Sequence, residues 1–215
     1  KLSKKNLGSS INCSGVCLTL EKIHGGLYFF YLSRETLRIS NFKNIKLNHI
    51  INLEKSLKLG NEISGHFVQG HVDTTSKLKK KKFFGKSLYL YFSIDRKLKK
   101  FLISKGSVSI NGVSLTITNV YKRTFLIVVI PYTLKLTNLI NIKTDDIVNV
   151  EIDIFAKYIK SVYNQIKNNI IMNYSKHFAK MKKSKFLVRG MLGVIFSCSA
   201  APCGACTSFF VTTVQ

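Results

Sequence analysis

The chain has 215 residues, 46% of them hydrophobic and 11% aromatic, with 34 Lys and Arg against 10 Asp and Glu for a formal net charge of +24. That apolar content excludes a disordered basic tail, and 2 Pro with 13 Gly exclude collagen-like and linker-type low complexity. The basic excess is spread along the chain with Asn and Ile, in the manner of an AT-rich coding bias, and reads as solvated surface. Neither nucleic acid nor a membrane is expected as a partner, and a nucleic-acid role would require base-stacking aromatics on an exposed sheet face.

In chain order, residues 26–32, 86–94, 107–117 and 124–130 mix β-branched and aromatic side chains in partial alternation, bounded by Gly, Asn, Asp or Lys turns. Short strands at this spacing predict small antiparallel barrels. After Asp153 the character changes. Residues 154–172 place Ile, Phe, Tyr and Val at helical spacing among Lys, Asn and Gln, which predicts an amphipathic helix whose apolar stripe serves packing or oligomerisation. The sequence MKKSKFLVRGMLGVIF at 181–196 has the form of a bacterial signal peptide at the wrong end of a chain and is expected to carry no function. Five cysteines, at 13, 17, 198, 203 and 206, form an odd set divided between the two ends. This is unlike a secreted disulfide framework, fits a reducing cytoplasm and completes no tetrahedral metal set. Residue 1 opens no export-signal pattern, and no apolar run reaches the length of a membrane span.

The sequence also repeats itself. SINCSGVCLT at 10–19 lies over SVSINGVSLT at 107–116, TLRISN at 36–41 over TLKLTN at 133–138, and NLE at 52–54 over NVE at 149–151, each pair 97 residues apart. Chance matches do not agree on one offset, so a single module is duplicated. The expected all-β organisation is two homologous barrels at 1–68 and 69–156, a C-terminal α-helix at 157–180, and an atypical apolar, Cys-containing tail at 181–215. Residues 70–92 have no counterpart 97 positions earlier, so the first barrel is expected to lack its opening strand or two.

Six blocks carry a resemblance to a known family: GVCLT at 15–19, ETLR at 35–38, GHFVQGHVD at 65–73, KGSVSINGVSLT at 105–116, IPYTL at 130–134, and VNVEID at 148–153 followed by AKY at 156–158. In these blocks the chain resembles riboflavin synthase, from about residue 8 to residue 163. The resemblance implies tandem lumazine-binding Greek-key barrels and a C-terminal helix. It also implies conversion of two 6,7-dimethyl-8-ribityllumazine into riboflavin and 5-amino-6-ribitylaminouracil by four-carbon transfer, with no cofactor or metal. The expected assembly is a cytoplasmic homotrimer with active sites between subunits. Two homologous pockets would hold two identical substrates face to face at high effective molarity. Differences between the copies would then separate donor from acceptor: Cys17 against Ser114, Ser14 against Asn111, Glu35 against Tyr132, and Ser56 against Asp153.

The reaction needs a base for the acidic C7 methyl, a nucleophile or water for C7 of the partner substrate, and proton shuttles. By resemblance, His71 is the proton-transfer group, since imidazole titrates near neutrality. Ser10 and Cys17 join it from the first barrel, and Ser114, Thr116 and Asp153 from the second. Taken alone, Cys17 reads as a small buried hydrophobe and Asp153 as a helix cap, and His66 is given a structural role. Lumazine-binding positions carried over in the first barrel are Cys17, Leu18 and Thr19, with Tyr31, Leu32, Ser33, Arg34, Glu35 and Thr36. Between the barrels they are Gly70, His71 and Val72. In the second they are Lys105, Ser114, Leu115 and Thr116, with Ile130, Pro131, Tyr132, Thr133, Leu134 and Lys135. Backbone amides and hydroxyls there would meet the pteridine edge and the ribityl chain, although Lys105 also reads as one more solvated lysine. The chain departs from the family in lacking a Phe-Thr-Gly-Ile opening, in Ser14 where Asn is usual, and in Tyr132 where His or Glu is usual. The alternative is a non-catalytic lumazine- or flavin-binding protein of the same architecture.

Overall fold

The computed structural model describes residues 2–183. The tail expected at 181–215, with Cys198, Cys203 and Cys206, therefore lies outside the described residues from 184 onward. In the first half, β1 (Ser10–Cys13), β2 (Val16–His24), β3 (Leu27–Phe30) and β4 (Leu53–Lys55) form an antiparallel sheet in the order β3-β2-β1-β4, with the short helix α1 (Arg34–Ile39) after β3. The second half contains β5 (Thr74–Phe84), β6 (Ser87–Ser93), α2 (Arg96–Lys99), β7 (Ser107–Ile110), β8 (Val113–Val120), β9 (Thr124–Val129), α3 (Pro131–Leu136) and β10 (Ile147–Ile152). Its strands close a barrel in the order β10-β5-β6-β9-β8-β7.

The 97-residue offset holds element by element. It carries β1 onto β7 and α1 onto α3 at both ends, and it sets β2 on β8 and β3 on β9. The neighbours correspond too, since β3-β2-β1-β4 repeats the order β9-β8-β7-β10. Among the described residues only the second sheet closes into a barrel, and the first is an open four-stranded sheet. Strands β5 and β6 bridge β10 to β9, and no described residue fills that place between β4 and β3.

Local sequence explains the turns. Ser14 and Gly15 have φ of 44° and 86°, and Asn111 and Gly112 have 47° and 82°. Both residues of each two-residue loop are therefore left-handed, the geometry that joins twisted antiparallel strands without splaying them. Along β6, SLYLYFS alternates so that Leu88, Leu90 and Phe92 are buried, and Phe92 packs on Phe125 with centroids 5.5 Å apart. A smaller core of Ile11, Val16, Leu18, Leu20, Phe42 and Val72 underlies the first sheet.

The two copies meet about a local two-fold built from asparagines. The backbone N–H of Asn41 donates to Asn149 Oδ1 at 2.7 Å and its side chain donates to the Ile147 carbonyl at 3.0 Å. The same pair recurs 97 residues on, with Asn138 donating to Asn52 Oδ1 at 2.7 Å and to the Ile50 carbonyl at 3.0 Å. Asn52 Nδ2 then donates to the Asn111 carbonyl at 2.9 Å and Asn149 Nδ2 to the Ser14 carbonyl at 2.8 Å, so each copy secures the other's hairpin turn. At the axis the two turns touch backbone to backbone. A Cβ on Gly112 would stand 2.8 Å from the Gly15 nitrogen, and one on Gly15 2.9 Å from the Gly112 nitrogen.

Gly112→Ala is expected to lower unfolding free energy by about 3 kcal/mol, from left-handed strain of roughly 1–2 kcal/mol together with forced displacement of the facing turn. Gly85, at φ 57° with open space around it, provides the control. Its Ala variant should lose the strain alone, and equal losses for both in urea denaturation would show that the turns do not bear on one another.

The last helix, α4 (Ile154–Lys183), follows β10 directly. Tyr158, Ile159, Val162 and Tyr163 on its first turns are each more than half exposed. The three- and four-residue spacing continues through Ile166, Ile170 and Tyr174, in the part of the helix that forms a unit of its own from Asn164. No helix among the described residues is long and apolar enough to cross a membrane.

Candidate active site

Residues 65–73 run from the first half into β5 and touch both copies. Glu151 on β10 is 2% exposed, and its carboxylate accepts the amides of Gln69 at 2.8 Å and Gly70 at 2.9 Å. Two charge-assisted hydrogen bonds compensate the burial of that charge. Asp73 holds the other end of the segment: its Oδ2 accepts the Ile152 amide at 2.8 Å and the Lys157 ammonium at 2.7 Å.

Two glycines let the segment press against the copies. Gly70, at φ 76°, accepts the Cys17 amide on its carbonyl at 2.7 Å, and a Cβ there would stand 2.8 Å from Cys17 Cβ. A Cβ on Gly65 would stand 2.6 Å from Ser114 Oγ. Cys17 and Ser114 are the same position of the repeated module, 97 residues apart. One segment thus lies on equivalent positions of both copies.

His66 was expected to be structural, yet it meets a nominated residue directly. Its ring Nδ1 lies 2.7 Å from Ser114 Oγ and its backbone N–H donates to the same oxygen at 3.3 Å. The ring can accept the Ser114 hydroxyl proton at Nδ1 or donate to the same oxygen, and its buried Nε2 has no hydrogen-bond partner among the described residues. Burial holds the His66 imidazole below its ordinary pKa while the Asp153 carboxylate pulls the other way. A neutral imidazole on a serine hydroxyl is an acceptor for that proton, the arrangement that activates an alcohol or passes a proton through it.

The other nominated residues fall into groups. Ser114 and Thr116 are both exposed on β8, where Thr116 pairs with Ser107. Their first-copy counterparts are Cys17 and Thr19 on β2, with Thr19 paired to Ser10 and the Ser10 carbonyl accepting from Ser56 Oγ. His71 is exposed and its side chain makes no hydrogen bond among the described residues. Asp153 Oδ1 accepts the Phe155 amide at 2.9 Å, the capping role expected of it. Ser33 caps α1 by accepting the Thr36 amide, Glu35 pairs with Arg38, and the Arg38 hydrogen bond holds the Glu35 carboxyl below its ordinary pKa. Arg34 and Tyr31 are exposed, as are Ile130, Pro131, Tyr132 and Lys135, while Leu32 and Thr133 are half-buried. Lys105 is exposed at φ 68°. Leu18, Val72 and Leu134 are buried in the cores and Leu115 packs partly against one of them, so a ligand would reach chiefly their backbone. Burial, reinforced by Cys17, pushes the neighbouring Cys13 thiol up to about 12, which makes it inert.

A cleft of about 610 Å³ lies on the local two-fold between loops 41–51 and 138–147 and contains none of these residues. Asn41 and Asn138, which line it, already donate to the opposite copy, so it is a gap between loops, and the linker marks the site instead. Among the described residues no three His, Cys, Asp or Glu side chains gather to hold a metal ion.

A family model described as "Lumazine binding domain" matches residues 2–56 and 69–153. A riboflavin synthase of Photobacterium leiognathi is 39% identical over 161 residues, spanning 75% of this chain and 74% of that protein. The riboflavin synthase of Escherichia coli (strain K12) is 37% identical over 147 residues, spanning 68% and 69%. The structure of LumP complexed with riboflavin superimposes with a TM-score of 0.64 at 22% identity, covering 70% of this chain and 84% of that one. LumP complexed with 6,7-dimethyl-8-(1'-D-ribityl) lumazine gives 0.62 at 21% identity with the same coverage. These two are likenesses of fold.

Proposed function

Since the chain belongs to the riboflavin synthase family of lumazine-binding domains, we propose that each of its two copies holds one 6,7-dimethyl-8-ribityllumazine and that a four-carbon unit passes between a pair of them. The activity is that of a riboflavin synthase, an enzyme of riboflavin biosynthesis. The observation that carries the residue assignment is the 65–73 linker, whose glycines lie on Cys17 of one copy and Ser114 of the other.

In the second copy, Ser114 backed by His66 relays protons to and from the bound substrate, and Asp153 counters charge that develops on the imidazole. In the first copy Cys17 lines the pocket, and His71, next to the glycine on Cys17, transfers protons. Thr19 and Ser10 on one side and Thr116 on the other offer hydroxyls to the ribityl chain. The exposed starts of helices α1 and α3, from Tyr31 to Thr36 and from Ile130 to Lys135, close over the pteridine.

On one chain the substrate surfaces belong to copies related by a local two-fold. Bringing two lumazines face to face therefore calls for surfaces of neighbouring subunits, and the apolar stripe of α4 supports a homotrimer. Boundaries at 1–68 and 69–156 follow the repeat, with the helix after them. The free thiols of Cys13 and Cys17 suit the cytoplasm.

A non-catalytic lumazine-binding role is the second reading, favoured by the open first sheet. Single-turnover mixing with 6,7-dimethyl-8-ribityllumazine separates the two. One riboflavin per two lumazines consumed is expected, slowed about 100-fold in His71→Ala. Lumazine bound without riboflavin formed would establish the binding protein instead.

A further inference from the structure

The hairpin of β5 and β6 carries Lys77, Lys79, Lys80, Lys81, Lys82 and Lys86 and no acidic residue. Strand register decides how they face. Leu88, Leu90 and Phe92 point into the core, so Tyr89 and Tyr91 between them point outward, together with Lys82 and Lys80 directly opposite. Lys81 turns the other way and donates to the Ile140 and Ile142 carbonyls.

On the outward face the rings and ammoniums are interleaved. Lys80 Nζ stands 5.6 Å from the Tyr91 ring, and Tyr121 stacks on Tyr91 with centroids 6.3 Å and planes 28° apart. Phe84, 70% exposed, meets Tyr89 edge-on at 6.0 Å. Lys122 and Arg123 continue from Tyr121. None of Lys79, Lys80, Lys82 and Lys86 forms an ion pair among the described residues. Coding bias accounts for solvated lysines but not for rings arranged between them. The Tyr91–Tyr121 pair also stands apart from the reaction: Tyr121, just past the end of β8, is seven residues beyond Ser114, roughly 23 Å of extended chain.

We propose that this outer face of the barrel docks single-stranded nucleic acid, its lysines following the phosphates while Tyr121, backed by Tyr91, and Phe84 stack on bases. Flat rings on an exposed sheet serve any unpaired base, whereas a duplex hides its base faces. This is an exposed aromatic face of the kind that a nucleic-acid role requires.

The test is fluorescence anisotropy of a labelled 15-nucleotide oligouridylate with the full chain. If four phosphates are neutralised, affinity should fall roughly 50-fold between 50 and 200 mM salt. Tyr91→Leu with Tyr121→Leu should weaken binding at least about 10-fold while riboflavin formation, which reports an intact fold, stays unchanged. Lys80→Glu with Lys82→Glu should weaken it as much or more, and Lys4→Glu with Lys5→Glu, on the other half, should leave it within about 3-fold. Absence of binding at 50 mM salt overturns the proposal. So does equal weakening by both lysine pairs, which would mean diffuse attraction to a +24 chain. Equal competition by phosphatidylglycerol vesicles, with the tyrosine variant unaffected, overturns it in favour of an anionic membrane surface.

Discussion

Replacing Ser114 by Ala is expected to slow riboflavin formation about 100-fold or more, the range for loss of a positioned proton-transfer group, while lumazine still binds. In the proposed relay the hydroxyl joins His66 Nδ1, 2.7 Å away, to a substrate on the exposed face of β8, and the substitution removes it while keeping the buried neighbours Val113 and Ile117. Ser114→Cys copies the residue of the equivalent position, Cys17, and should restore part of the rate. Unchanged single-turnover rates in Ser114→Ala would remove the relay from the mechanism.

The pH profile carries the same signature. Burial lowers the His66 pKa from its ordinary 6.5, which favours the neutral imidazole that the proposed relay needs as its base. The rate should decline only as pH falls through that lowered value, and Ser114→Ala should lose this acidic limb. The effect on stability has the same sign. The unfolded state binds the His66 proton more readily, so folding free energy declines as pH drops below 6.5 and levels off under the lowered folded value.

Glu151→Gln is expected to lower stability by about 2–3 kcal/mol, or roughly 4–12 °C in melting temperature for a unit of this size. The amide that replaces one carboxylate oxygen sets a donor against the N–H of Gln69 or Gly70, leaving a buried donor unmatched. The loss is local as well as global, because Gly70 is what lies on Cys17. Lumazine titration should therefore show one of two sites per chain weakened, with the Ser114 site retained. Two equal sites in the variant would mean that the linker does not shape the first pocket.

Much of this was legible in the sequence, and the limits have physical causes. The duplication could be read because a repeated module reproduces its turns: Ser14-Gly15 and Asn111-Gly112 announce the same left-handed hairpin. The pairing that closes the barrel could not, because β5 joins β10 and β6 joins β9 far along the chain. His66 shows the limit most sharply. The linker presents Gly-His twice, at 65–66 and 70–71, and nothing local separates the two. Only the fold lays the first on Ser114, 48 residues away, and the second glycine on Cys17. Glu151 reads as one more strand residue until the amides 81 and 82 positions earlier are brought to it.

The asparagine exchange at the local two-fold has a consequence for how the chain attains its structure. Each copy's hairpin turn is completed by the other copy's side chain, and the facing turns tolerate nothing larger than glycine. A half released from its twin would expose Asn52 or Asn149 with its donor unspent and a turn with nothing to rest on. Residues 1–163 accordingly form one compact unit. The boundary between the copies is one of descent, and cooperativity runs straight across it.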